Sequence, residues 1–208
     1  WDAPTVVNNV ETLAAVPWIV RGSGAAYAGR GTEQETGTKL VCLSERFAHP
    51  GAYEVELGTP LNRIVAELGG GLRPGAQLAV LQVGGPLGGF LAADGLDVPL
   101  TDADLSARGA ALGHAGLVAF DTSVDPLDVL RHVWAFAAAE SCGACSPCRV
   151  GSRRGREMAE AGSPPGPELG RMLRVLSEAS LCAYGRRIPP AVRSLVRAYG
   201  DRLAGWDR

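Results

Sequence analysis

The chain of 208 residues is 46% hydrophobic, carries a formal net charge of −2 and contains 28 Gly and 14 Pro; this allows one large or two small cores and excludes collagenous or low-complexity chains. No apolar run approaches the roughly eighteen residues of a membrane span and no basic-then-apolar leader opens the sequence, so a soluble, cytosolic chain without direct membrane insertion is expected. The charge is divided unevenly, with 8 basic and 16 acidic side chains in residues 1–140 against 12 and 6 in residues 141–208. The basic half lacks the lysine clusters and interleaved aromatics of a nucleic-acid platform; it reads as solvated arginine faces or as compensation of a buried negative centre.

Residues 1–37 begin at Trp1 inside an organised segment, so a fragment of a longer protein is expected. The segment reads as a short turn, one helix over the apolar stretch ending at Val20, and a Gly-rich linker. Lys39–Ser44 is a compact apolar run and Gly51–Leu57 alternates with period two, predicting two strands joined at His49-Pro50-Gly51. Thr59 is expected to cap a helix with Pro60 at its first position, ended by Gly69–Gly71. Two further strands are predicted at Gln77–Val83 and Gly116–Phe120, flanking a long loop that contains Gly84–Gly89. That loop fails as a phosphate cradle, because no Lys-Ser/Thr and no helix follows it. Cys42, within the first strand, reads as a small core residue. His49, His114 and His132 are scattered without ligand spacing.

After Asp121 the pattern is helical. Asp125-Pro126 is a cap followed by Pro, with Leu127, Leu130, Trp134 and Ala137 at helical spacing. Further helices are predicted over Val150–Ala161, over Pro167–Ala179 and from Pro190 onward. The fold class expected is α+β: residues 38–121 as a small α+β domain and residues 122–208 as a four-helix bundle.

Four of the five cysteines lie in the helical half, as Cys142-x-x-Cys145-x-x-Cys148 with a distant Cys182. Three thiolates at two-residue spacing can hold three corners of a cuboidal iron–sulfur cluster, and a fourth brought back by the fold takes the last iron. Gly143 and Ala144 let the loop curl, and Pro147 stiffens it. Arg149, Arg153, Arg154, Arg186 and Arg187 could offset the anionic centre. A Cys₄ zinc site is the alternative, although structural zinc usually draws on two separated Cys-x-x-Cys pairs. A disulfide framework would need an oxidising compartment. No catalytic Ser/His/Asp set or carboxylate pair stands out.

The stretch Glu140–Gly151, with Ser180-Leu181-Cys182 downstream, resembles the iron–sulfur segment of the flavoprotein subunit of respiratory NADH dehydrogenase (the 51 kDa or F subunit), shared with diaphorase subunits of NAD-linked hydrogenases and formate dehydrogenases. Pro4–Leu13 is similar to that family's last flavin-domain motif, and Pro50–Val55 with Gly58–Leu61 is similar to its soluble-ligand-binding β-grasp (SLBB) domain. The resemblance implies a flavin-domain remnant over 1–37, a ubiquitin-like β-grasp domain over 38–121 and a helical domain over 122–208 that holds one [4Fe–4S] cluster. It implies Cys142, Cys145, Cys148 and Cys182 as cluster ligands and Asn8, Asn9 and Thr12 as flavin-lining residues. It further implies electron relay from FMN to the clusters of partner iron–sulfur subunits in an NADH-oxidising complex, peripheral to the inner membrane through those partners. FMN would belong to the full-length protein, and this chain alone is expected not to oxidise NADH. A non-catalytic scaffold with a Cys₄ zinc site is the competing reading.

Overall fold

A computed structural model describes residues 2–206; Trp1, Asp207 and Arg208, at the outer ends of the first and last predicted segments, lie outside the described residues. The chain opens with helix α1 (Val10–Gly22), capped by Asn9, whose Oδ1 accepts the Thr12 N–H at 3.2 Å, and continues into the short α2 (Gly24–Ala28). Neither helix buries a residue. The Glu11 carboxylate fastens them to the next strand, accepting from the Leu40 N–H at 2.8 Å and pairing with Lys39.

Five strands form one mixed sheet in the order β2-β1-β5-β3-β4. They are β1 (Thr38–Leu43), β2 (Gly51–Glu56), β3 (Leu78–Val83), β4 (Gly89–Ala92) and β5 (Gly116–Asp121). The central pair β1 and β5 is parallel, with Cys42 opposite Gly116, and every other pair is antiparallel. The chain therefore crosses from the β2 edge to the far side of β5 between β2 and β3.

On that crossing, three α-helical residues, Leu61–Arg63 (α3), widen into a π turn over Ile64–Leu68. Thr59 does not cap this helix. Its hydroxyl donates back to the Glu56 carbonyl at 2.7 Å, and Pro60 takes the cap position in extended conformation. The sequence reading also missed a strand and an α-helix inside the predicted long loop. One is β4, only four residues long, and the other is helix α4 (Asp102–Ala107), where the Thr101 hydroxyl caps the Asp104 N–H at 3.0 Å.

Four longer helices follow: α5 (Pro126–Ala139), α6 (Ser146–Ala161), α7 (Pro167–Ala179) and α8 (Ala183–Tyr199). Asp125 caps α5 as expected, its carboxylate accepting from the Leu127 N–H at 2.9 Å. Two starts differ from expectation. Helix α6 begins a turn before Val150, and α8 begins at Ala183, so Pro189 and Pro190 lie inside the helix rather than opening it.

Two cores lie on the two faces of the sheet. Strand β3 shows why: Leu81 and Val83 face a core with Val41, Phe47, Leu61, Ile64, Leu91 and Leu117. Val80, one residue out of phase, joins Phe90 and the helical residues Trp134, Leu176, Ile188 and Leu195 on the other side. Burial on both faces explains the near-continuous apolar run of β3. Helix α8 is pinned to β4 where the Phe90 N–H donates to Ser194 Oγ at 3.1 Å. Strand β1 alternates as well, with Val41 and Leu43 buried and Leu40 and Cys42 exposed. Cys42 is therefore a surface residue and not the core residue its apolar neighbours predict. No described helix is long and apolar enough to cross a membrane.

Candidate metal centre

The thiols gather where the starts of α6 and α8 meet. Between α5 and α6 the chain curls through Gly143, whose φ of +76° is left-handed and suits a residue without a Cβ. Ser141 Oγ accepts from the Gly143 N–H at 3.4 Å and lies 3.3 Å from Cys148 Sγ. Arg149 closes the curl from outside, donating from Nη1 to the Gly143 carbonyl at 3.0 Å. Cys145 then occupies the N-cap of α6, Cys148 sits in its first turn at 4% exposure, and Cys182 occupies the N-cap of α8. Cys142 and Cys182 are exposed and Cys145 is half-buried.

Close approach of the two helix starts depends on Gly185 in the first turn of α8. A Cβ there would lie 2.7 Å from Ser180 Cβ and 3.1 Å from Cys148 Cβ, so only hydrogen fits. Tyr184, beside it, shares its hydroxyl between the Phe136 and Ala137 carbonyls at 3.3 and 3.2 Å, tying α8 to the end of α5. Burial, then the nearby Cys148 thiolate, pushes the Tyr184 phenol up to about 12, so it stays a neutral donor.

The electrostatics favour anionic sulfur at Cys145. Helices α6 and α8 run for 16 and 17 residues and neither has a side-chain oxygen cap, so their positive dipole ends lie at the cysteines. The Cys145 thiol is held below its ordinary value by the N–H of Leu181 first and that of Cys148 next, with Arg149 assisting. Cys148 goes the other way. Burial raises it first, the Ser141 hydrogen bond partly offsets this, and the thiolates of Cys145, Cys182 and Cys142 are close enough to raise it further. Four sulfurs that repel one another in one corner suit a polynuclear cation that neutralises them together. The donor set fits a four-iron cluster.

The arginines near this corner divide into two kinds. Arg149 and Arg186 act on its backbone, Arg186 Nε donating to the Ser180 carbonyl at 2.8 Å. Arg154 is instead occupied by Glu157 and Glu168 at 2.9 and 3.0 Å. Arg153 and Arg187 are exposed.

Asn8, Asn9 and Thr12 are exposed at the start of α1. Asn9 and Thr12 serve each other as cap and capped N–H, and no described hydrogen bond joins the three to the thiols. The histidines are not part of the centre; His114 Nδ1 accepts from the Gly116 N–H at 3.1 Å. Sequence reasoning missed Ser141, Ser180 and Tyr184. The serines were visible in Ser141-Cys142 and Ser180-Leu181-Cys182 as hydroxyls beside thiols, a signal that gains meaning only when the two segments meet.

Residues 128–204 match the NADH-ubiquinone oxidoreductase-F iron–sulfur binding region. The chain is 32% identical over 207 residues to the NADP-reducing hydrogenase subunit HndC of Solidesulfovibrio fructosivorans, covering 97% of this chain and 42% of that protein. It is 37% identical over 151 residues to the F subunit of the NADH-quinone oxidoreductase of Escherichia coli (strain K12), covering 73% of this chain and 34% of that protein. Its fold is similar to a chain of the NAD+-reducing [NiFe]-hydrogenase in the H2-reduced state, with a TM-score of 0.84 and 35% identity, covering 96% of this chain and 35% of that one. The chain thus spans less than half the length of these relatives.

Proposed function

We propose that this chain is the electron-relay part of a larger flavoprotein subunit, a reading supported by the match of residues 128–204 to the NADH-ubiquinone oxidoreductase-F iron–sulfur binding region. Cys142, Cys145, Cys148 and Cys182 are the ligands of its [4Fe–4S] cluster. When bound, the cluster accepts and releases one electron at a time without moving atoms far. The protein's own residues do the rest. The N–H groups of Leu181 and Cys148 are directed at the Cys145 sulfur, Arg149 and Arg186 hold the two ligand segments in place, and Gly185 lets those segments touch.

Around this centre, residues 38–121 form the SLBB β-grasp domain and residues 122–208 the four-helix domain. The strand order β2-β1-β5-β3-β4 around a parallel central pair supports the β-grasp reading. Residues 1–37 close a flavin domain, with Asn8, Asn9 and Thr12 contributing amide and hydroxyl groups to FMN in the full-length protein. Electrons from NADH reach the cluster through that flavin and leave to iron–sulfur partner subunits of a respiratory or diaphorase-type complex, held at the membrane through those partners where the complex is membranous.

The observation that carries this reading is the meeting of all four thiols at two uncapped helix starts. Iron, zinc and acid-labile sulfide analysis of anaerobically purified chain, with an EPR spectrum after dithionite reduction, tests it. About four irons and four sulfides with a reduced-cluster signal are expected. One zinc without sulfide would replace the relay with a scaffold.

A further inference from the structure

We infer that Ser180 is a potential-setting residue whose hydroxyl donates a hydrogen bond into the sulfur shell of the cluster beside Cys148 and favours its reduced state. The inference rests on the reading of the four cysteines as ligands of one [4Fe–4S] group.

Ser180 is 1% exposed, yet its Oγ has no hydrogen-bond partner. A buried hydroxyl without a partner is unfavourable, and such a group in a folded protein calls for an explanation. The surroundings are otherwise well satisfied. The Ser180 carbonyl accepts from Arg186 Nε at 2.8 Å, and the next N–H along the chain, that of Leu181, is directed at Cys145 sulfur. The hydroxyl is wedged against the first turn of α8. The space a Gly185 Cβ would need is taken by Ser180 Cβ at 2.7 Å, by Ser180 Oγ, and by Cys148 Cβ at 3.1 Å. The stretch 180–182 therefore brings a hydroxyl, an N–H and a thiol to one corner, and the hydroxyl alone lacks an acceptor there.

Cluster sulfur is the acceptor the chemistry supplies. Reduction adds one electron, and each donor aimed at the sulfurs stabilises the added negative charge, so hydrogen bonds raise the potential. No bond is broken, the hydroxyl keeps its proton, and the electron comes from an external reductant such as dithionite. Ser141 contributes differently, because its Oγ is already engaged with Cys148 Sγ and the Gly143 N–H. Ser180 has no such competing partner.

The test compares wild type, Ser180→Ala and Ser141→Ala after anaerobic reconstitution with iron and sulfide. It reads iron and sulfide content, the EPR-monitored midpoint potential, exchangeable-proton couplings by ENDOR after transfer to D2O, and the melting temperature of each apo form. Ser180→Ala is expected to load iron fully and to melt no lower as apo protein, since no hydrogen bond is lost. Its midpoint should shift negative, with one exchangeable coupling gone that Ser141→Ala retains. A fully loaded Ser180→Ala with unchanged midpoint and couplings overturns the inference. So does loss of the same coupling in Ser141→Ala alone, or failure of Ser180→Ala to hold iron while wild type does, which makes Ser180 a structural residue. Wild type without iron and sulfide overturns the ligand reading itself.

Discussion

The two cores of this molecule are finished by different means. The core on one face of the sheet, built from Val41, Phe47, Leu61, Ile64, Leu81 and Leu117, leaves no unpaired polar side-chain atom among the described residues, the buried Thr101 hydroxyl being paired with Asp104. The core under the helices, around Trp134, Leu176, Ile188 and Leu195, ends in thiols and hydroxyls. Among the described residues the buried polar side-chain atoms without partners are Trp134 Nε1, Ser152 Oγ, Ser180 Oγ and Tyr199 OH, and all belong to the helical part. Among the described residues the sheet side leaves no buried polar side-chain atom unpaired, whereas the helical side leaves these four, and one of them, Ser180 Oγ, lies at the thiol corner, where chemistry is expected to reside.

The sharpest way to break this contrast is to remove a ligand. Cys145→Ala should lose essentially all iron and sulfide and lower the melting temperature of the helical part, because metal binding there is also folding energy. Visible absorption and a thermal scan check it, and an unchanged spectrum would sink the ligand assignment. Next come the cores themselves. Leu81→Ala and Leu176→Ala, both at fully buried positions, should each cost about 2–5 kcal/mol in denaturant unfolding. Only Leu176→Ala, which loosens the packing against Gly151 on α6, should also quicken cluster loss to a chelator.

A smaller effect concerns acid. Asp121, at the end of β5, is held below its ordinary value of 3.8 by the Ser123 hydroxyl first, then by the Ser123 N–H and Arg46. Because the folded value is depressed, its contribution is present above that ordinary value and is lost as pH falls through the folded one. Asp121→Asn should therefore cost about 1–2 kcal/mol at neutral pH and flatten the loss of stability below pH 3.8, read from unfolding curves across the acid range. The smallest effect is expected at Pro190. As an exposed interior residue of α8 it withholds one helical hydrogen bond, and Pro190→Ala should stabilise by about 1 kcal/mol, the restored bond being partly offset by a freer unfolded chain. No gain would mean that α8 already bends to accommodate the residue.

Most strands and helices were legible because period-two and period-3.6 patterns are local. Val41 and Leu43 alternate with Leu40 and Cys42, and Asp125-Pro126 announces α5. The errors came where a local rule met a partner from elsewhere. Cys42 has apolar neighbours but points to the side of β1 that the helices leave uncovered. Pro189-Pro190 looks like a helix start, yet packing of α8 on β4 carries the helix back to Ala183. Cysteine is not a usual cap, so the starts of α6 and α8 at Cys145 and Cys182 gave no capping signal. Strand β4 was too short to show a period.

The sequence by itself determined the three-plus-one thiol set, the family resemblance and the division into a strand-rich half and a helical half, because these depend on spacing along the chain. Tertiary structure alone decided which sheet face meets the helices and that two uncapped helix starts converge on the cysteines. It also decided that the Ser180 hydroxyl is buried beside Cys148 without an acceptor. Each of these joins residues more than thirty positions apart, and such contacts follow from how the apolar faces pack together.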